Sequence, residues 1–224
     1  MLKAEQGFSL LETLVAMAAG MIVLAALLSL SISLLVSGNT HLQLSRLNQE
    51  VQGIADLISR DLQRAGFHPA AMTELALSIP ASNAVAPHLV FSPVRDLYPD
   101  PTTASEAHCL RVKFWDLDAP SGDQRVVRIY NFQKNTGILR LYIPDEIQAV
   151  LPLSDLCSLG VHSGNQLISS KEIRVNQLSF GLTPDSGPQG VRSVELTLSA
   201  AYVNRPALAQ TLHRRILVRN RGEW

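Results

Sequence analysis

Cys109 and Cys157 are the only cysteines in a chain of 224 residues, and their surroundings suggest two chemistries. His108 adjoins the first and His162 follows the second by five positions, a grouping of soft and imidazole donors that zinc accepts. Consecutive residues on a strand point to opposite faces, however, so His108 and Cys109 do not readily address one ion. Outside the cytoplasm, a lone pair of thiols most simply closes a disulfide, and a loop of this length stabilises the fold by roughly 4 kcal/mol in the chain-entropy account. The acid pairs Asp96/Asp100 and Asp116/Asp118 read as solvated turn formers, with a weak calcium site at either place as an alternative that the spacing alone does not show. There is no G-x-S-x-G, H-E-x-x-H, C-x-x-C or glycine-rich phosphate loop. The residues therefore nominate no catalytic group, cofactor or metal site.

Glu12 is the other residue whose placement demands chemistry. From Phe8 to Val36 it is the single charge in an apolar run that holds Gly20 and no proline. At ~1.5 Å per residue this run makes a helix of about 43 Å, longer than the ~30 Å hydrocarbon core of a bilayer. A carboxylate inside such a helix costs up to ~2.5–3.5 kcal/mol at mid-depth unless it finds a cation, and less at headgroup level. A cleaved secretory signal is the alternative, with Ala16-Met17-Ala18 as a small-x-small site. Against it, the apolar run continues well beyond that point, and Glu12 sits where a signal needs its apolar centre.

The stretch Gly7-Phe8-Ser9-Leu10-Leu11-Glu12-Thr13-Leu14-Val15 resembles the N-terminal signal of type IV pilins and type II secretion pseudopilins. That signal is a short polar leader ending in Gly, then usually Phe, then an apolar helix with Glu fifth in the mature chain. The resemblance implies cleavage by a prepilin peptidase between Gly7 and Phe8 and N-methylation of Phe8. It further implies that Glu12 neutralises the Phe8 amine of a neighbouring subunit, a buried polar contact that sets register in a greasy interface. The implied locations are the bacterial inner membrane, with a single pass and a periplasmic globular domain, and then a filament. The implied partners are the peptidase, membrane lipid, other minor pilins, the major pilin or pseudopilins, and the inner-membrane assembly platform. Leu28 to Ser33 carries serines where major pilins commonly carry proline, which favours a minor pilin or a pseudopilin.

A second resemblance lies further along. Asp61-Leu62-Gln63-Arg64-Ala65-Gly66-Phe67 is similar to the D-x-x-R-A-G-aromatic helix ending of PilW-type minor pilins and J-type pseudopilins, and Leu217-Val218-Arg219-Asn220-Arg221 to their closing strand. A PilW-like, non-catalytic minor pilin that primes or caps the filament is the leading expectation. A J-type pseudopilin is the near alternative, and a periplasmic enzyme or binding module on a plain anchor the distant one.

The elements that position these residues follow from periodicity. Leu44, Leu47, Val51, Ile54, Ile58 and Leu62 form one apolar stripe, with Asp56 and Arg60 set for an i,i+4 pair and Asp61 off the stripe. Gly66 and Pro69 stop the helix. Residues 70–87 read as a loop, and strands are expected at 89–91, 110–115, 124–132, 138–143, 173–182, 191–203 and 212–218. Gly137 supplies a hairpin turn between the third and fourth of these. Pro184 to Pro188 and Asn204-Arg205-Pro206 separate the last three, and no further helix is signalled. The expected fold is α+β, one long helix packed on an antiparallel sheet. The expected divisions are a leader at 1–7, a membrane or filament-core half-helix at 8–36, an amphipathic half at 37–66 and a β-rich domain at 67–224. With 19 basic and 19 acidic residues the chain is neutral, so no nucleic-acid partner is expected, although Arg214, Arg215, Arg219 and Arg221 make its end basic.

Overall fold

The computed structural model describes residues 9–67, 91–99, 106–120, 124–145, 151–169, 171–183 and 193–219. Helix α1 runs unbroken from Leu10 to Arg64. The one-turn helix α2 (Pro93–Asp96), strands β1 (Leu97–Tyr98), β2 (Cys109–Trp115), β3 (Arg125–Gln133) and β4 (Ile138–Tyr142), helix α3 (Leu153–Ser163) and strands β5 (Asn165–Gln166), β6 (Ile173–Thr183), β7 (Ser193–Tyr202) and β8 (Arg205–Leu217) follow. The architecture is α+β and pilin-like: a long N-terminal apolar helix packed against antiparallel sheets. The chain divides into two compact units, residues 1–45 and 46–224.

Within the second unit the expected single sheet is two. One has the order β1-β2-β3-β4-β5, the other β6-β7-β8. They meet through a bridge at which Ala107 and Phe180 exchange both backbone hydrogen bonds, at 3.2 and 2.8 Å. The β3–β4 turn also touches β6, because the Val175 N–H donates to the Gly137 carbonyl at 3.1 Å. Gly137 has φ 70°, and a Cβ there would lie 2.8 Å from the Val175 carbonyl oxygen. The glycine expected for the hairpin is thus also required by the neighbouring sheet. The β7–β8 turn is only Val203 and Asn204, so Arg205 and Pro206 belong to the strand and not, as expected, to the turn. Proline is tolerated there because β8 is an edge strand at its first residues.

The apolar stripe of α1 is buried as its spacing requires. Leu47, Val51, Ile58 and Leu62 are fully buried in the same core as Leu110, Val112, Phe114, Tyr130, Phe180, Leu196 and Leu198. The helix stops at Gly66, which takes φ 77° and donates its N–H to the Lys113 carbonyl.

The five-stranded sheet is covered on its other face as well. Leu153, Leu156 and Cys157 of α3 pack with Cys109, Ile129 and Tyr142 in a separate small core. No further helix was expected, yet α3 exists: Leu153, Leu156 and Cys157 stand at helical spacing in a run of only 11 residues, and tertiary packing with the disulfide fixes it. This cover also leaves β2 buried on both faces, since Arg111 and Lys113 are buried along with Leu110, Val112 and Phe114. The expected loops at 70–87 and 184–188, the strand residues Leu89 and Val90, the carboxylate of Asp100 and the guanidinium of Arg221 lie outside the described residues.

Candidate functional site

The N-terminal end of α1 is built by a cap. The Ser9 hydroxyl oxygen accepts the Glu12 N–H at 3.2 Å, and the Ser9 carbonyl accepts the same N–H at 3.0 Å. Ser9-x-x-Glu12 is capping-box spacing, a signal legible in the sequence that the reading above passed over. Glu12 therefore stands in the first turn, where a carboxylate also complements the positive helix end. Among the described residues no cation pairs with it. Gly7 and Phe8 lie outside the described residues.

Beyond the cap, α1 is apolar on every side. Leu10 is 82% exposed and Leu14, Met21, Leu24, Leu28, Leu30 and Leu35 all more than half exposed. Three hydroxyls along it turn inward: Ser29 donates to the Ala25 carbonyl at 2.8 Å, Ser31 to Leu27 at 2.9 Å and Thr40 to Val36 at 3.0 Å. They need no water, which suits a helix placed in lipid or among other apolar helices. The helix is long and apolar enough to cross a membrane.

The motif at the other end of α1 is a latch between helix and sheet. Asp61, expected off the stripe, is 2% exposed. Its carboxylate accepts two hydrogen bonds from Arg128 at 2.8 and 3.0 Å and one from the Tyr130 hydroxyl at 2.5 Å. Burial and the adjacent carboxylate push the Tyr130 hydroxyl pKa well up. Arg64 and Arg128 both lie over the Phe114 ring, 5.7 and 5.5 Å from its centroid. Phe67 accepts the Trp115 N–H through its carbonyl. Asp56 pairs with Arg214 of β8 and not with Arg60 as its spacing suggested. The basic end of the chain is thereby partly spent on the helix.

A second buried carboxylate corrects the reading of Asp96 as a solvated turn former. Asp96 is fully buried and receives the Ser92 N–H at 2.9 Å, Arg111 at 2.8 Å and Lys113 at 3.0 Å. Arg111 also donates to the carbonyls of Leu151 and Arg95. Burial pulls the Lys113 pKa down, partly opposed by Asp96. The other acid pair behaves as expected, with the Asp118 N–H donating to the Asp116 carboxylate in an exposed turn.

Cys109 and Cys157 form a disulfide with their Cα atoms 6.2 Å apart. Both sulfurs are consumed, so the alternative of thiolate ligands for zinc is overturned. The Asn131 side-chain amide donates to the Cys157 carbonyl and ties α3 to β3. His108 packs edge-on against Tyr98, and burial lowers its pKa. Among the described residues no group of three or more His, Cys, Asp and Glu is placed to hold a metal ion.

The geometry thus isolates the capped apolar half-helix as the segment whose chemistry the rest of the chain does not satisfy. Two family comparisons bear on it. The prokaryotic N-terminal methylation motif matches residues 2–28, and prepilin peptidase-dependent protein B matches residues 40–218. No curated protein and no solved structure matches the chain. The methylation motif covers the segment that carries the Gly-Phe junction and Glu12, and dependence on prepilin peptidase implies that this enzyme engages it. The second match spans most of the chain, and the chain belongs to the prepilin peptidase-dependent protein B family of pilin-like proteins.

Proposed function

We propose that this chain is a PilW-like minor pilin, a non-catalytic subunit that helps to start a type IV pilus or caps its tip. In this reading residues 1–7 are the leader, and the peptidase cuts between Gly7 and Phe8 and methylates the new amine. The apolar half-helix at 8–36 holds the uncut chain in the inner membrane, and the globular domain stands in the periplasm. On assembly the half-helix exchanges lipid for the apolar helices of other minor pilins and the major pilin at the assembly platform. The observation that carries the reading is the exposed apolar face of residues 10–36 with one carboxylate in its first turn. Lipid can satisfy that surface, but a carboxylate one turn from a free amine is matched best by a second copy of the same kind of helix, offset so that Glu12 meets Phe8 of its neighbour.

The test is the intact mass and N-terminal residue of the chain from membranes with active prepilin peptidase. Methylated Phe8 as the first residue is expected. A chain starting at Met1, or cut near Ala18, overturns the reading. Replacing Glu12 by Ala then separates filament subunit from plain anchor: assembly is lost while membrane attachment stays. Unchanged partner capture in that variant supports the anchored binding module instead.

A further inference from the structure

The chain as a whole is neutral, with 19 basic and 19 acidic side chains, yet within residues 46–224 the two signs are sorted by end. Helix α1 enters this unit at Arg46, and three connections share that end with it. The Arg46 guanidinium pairs with the Glu172 carboxylate at 2.9 Å. The Val203 N–H donates to the Glu172 carbonyl at 2.9 Å, which sets the β7–β8 turn beside the β5–β6 connection. Arg174 donates to the Asn135 carbonyl at 3.2 Å, which adds the β3–β4 turn.

Arg46 and the segments 134–137, 169–174 and 203–205 bring five cations to this end: Arg46, Lys134, Lys171, Arg174 and Arg205, all exposed. Their one acid is Glu172, which Arg46 already engages, and the next acid on α1, Glu50, stands one turn further in. The connections that leave β2 and β4 at the opposite end reverse the sign. Residues 116–124 and 143–152 hold Asp116, Asp118, Asp123, Asp145 and Glu146 and neither Lys nor Arg. Cations gathered at one end repel one another, so the fold alone does not favour the sorting, whereas a partner of opposite charge does.

We infer that this basic end is a second membrane contact, a docking surface for an anionic lipid bilayer. Two features point to a bilayer. Only Ser37 to Ser45 lie between the apolar run and Arg46, about 14 Å at helical rise. Headgroups occupy ~5–8 Å of that length, and the rest is comparable to the ~8 Å over which charge acts at physiological salt. The apolar run, about 43 Å long, also exceeds the ~30 Å of hydrocarbon, which favours a tilted helix and lowers one side of this end onto the headgroups. The inference rests on the reading of residues 8–36 as a membrane helix. Its consequence is that lipid charge holds the globular unit against the surface, and assembly has to break that hold.

The experiment uses the full chain in lipid vesicles, with its disulfide intact and an acceptor dye on the lipid headgroups. A donor dye at Asn135→Cys marks the basic end and one at Leu117→Cys the opposite end, both exposed positions. Energy transfer from Asn135 should be stronger in phosphatidylcholine mixed with phosphatidylglycerol than in phosphatidylcholine alone, and should fall back at high salt. Transfer from Leu117 should change less. Lys134→Gln/Lys171→Gln should weaken the contact by about fivefold per cation removed, and Lys134→Arg/Lys171→Arg should keep it. A chain that floats with the vesicles and gives equal Asn135 transfer in both lipids overturns the inference and leaves the membrane helix standing. A chain that does not float overturns the helix reading and this inference with it. Transfer between copies labelled at Asn135 and Leu117, in place of transfer to lipid, assigns the basic end to the acidic end of another copy and equally overturns the lipid contact.

Discussion

The two parts of α1 solve the same problem with different solvents. Around Leu24 the helix is apolar on all sides and its side chains are exposed; around Ile58 it is apolar on one stripe and buried in the protein's own core. The first part turns the hydroxyls of Ser29, Ser31 and Thr40 back onto its own carbonyls, and what it lacks is a medium. The second makes its own medium from two sheets, and it carries charges where those sheets offer partners. Burial that a chain supplies for itself contributes to folding, whereas burial supplied by lipid or by other subunits contributes to location and assembly.

The largest expected effect that tests this contrast comes from one substitution made twice. Leu62→Ala should lower the stability of the globular unit by about 2–5 kcal/mol, because it opens a cavity among fully buried neighbours. Leu27→Ala should leave that transition within ~0.5 kcal/mol. Urea unfolding in detergent, followed by tryptophan fluorescence, measures both. Equal losses would mean that the first part is also packed by the chain itself, and the distinction would collapse.

Reducing the Cys109–Cys157 bond should cost roughly 2–4 kcal/mol, since it closes a loop with a sequence separation of 48. The loss should appear in the globular transition and leave the helical signal of the detergent-bound segment unchanged. An unaltered midpoint after complete reduction, checked by alkylation of two thiols, would show that packing alone holds α3.

The smallest effect is electrostatic and sharpens the comparison within the second part. The hydrogen bond and charge of Arg214 hold the Asp56 pKa below its ordinary value. A depressed carboxylate pKa stabilises the fold above the unfolded-state value and loses that stabilisation as pH falls through about 4. Asp56→Asn should therefore flatten the acid limb of the stability curve by lowering its neutral plateau slightly while leaving its acid end unaltered, the change being small because the pair is partly exposed. An acid limb as steep as that of the parent would assign the dependence to other carboxylates.

What was legible in the residues is what local pattern encodes. The stripe from Leu47 to Leu62, the stop at Gly66 and the Gly137 hairpin follow from spacing and from φ values that only glycine adopts easily. The methylation motif was equally plain, because Gly7-Phe8, Glu12 and the apolar run coincide in one short window. Asp56, Asp61 and Asp96 were misread for a common reason. A carboxylate is placed by its partners, and Arg214, Arg128 and Arg111 lie 158, 67 and 15 positions away. Helix α3 was missed because 11 residues are too short a run for a period to stand out, although Leu153, Leu156 and Cys157 stand at helical spacing.

The sequence by itself determined that this chain has an apolar N-terminal helix and a β-rich remainder, since period and hydropathy are properties of neighbouring residues. Only the tertiary structure decided that the remainder is two sheets, that one of them is covered on both faces, and that Asp61 and Asp96 are buried. Those outcomes depend on which distant groups meet. A directional contact acts over a few ångströms in space, whatever the distance along the chain.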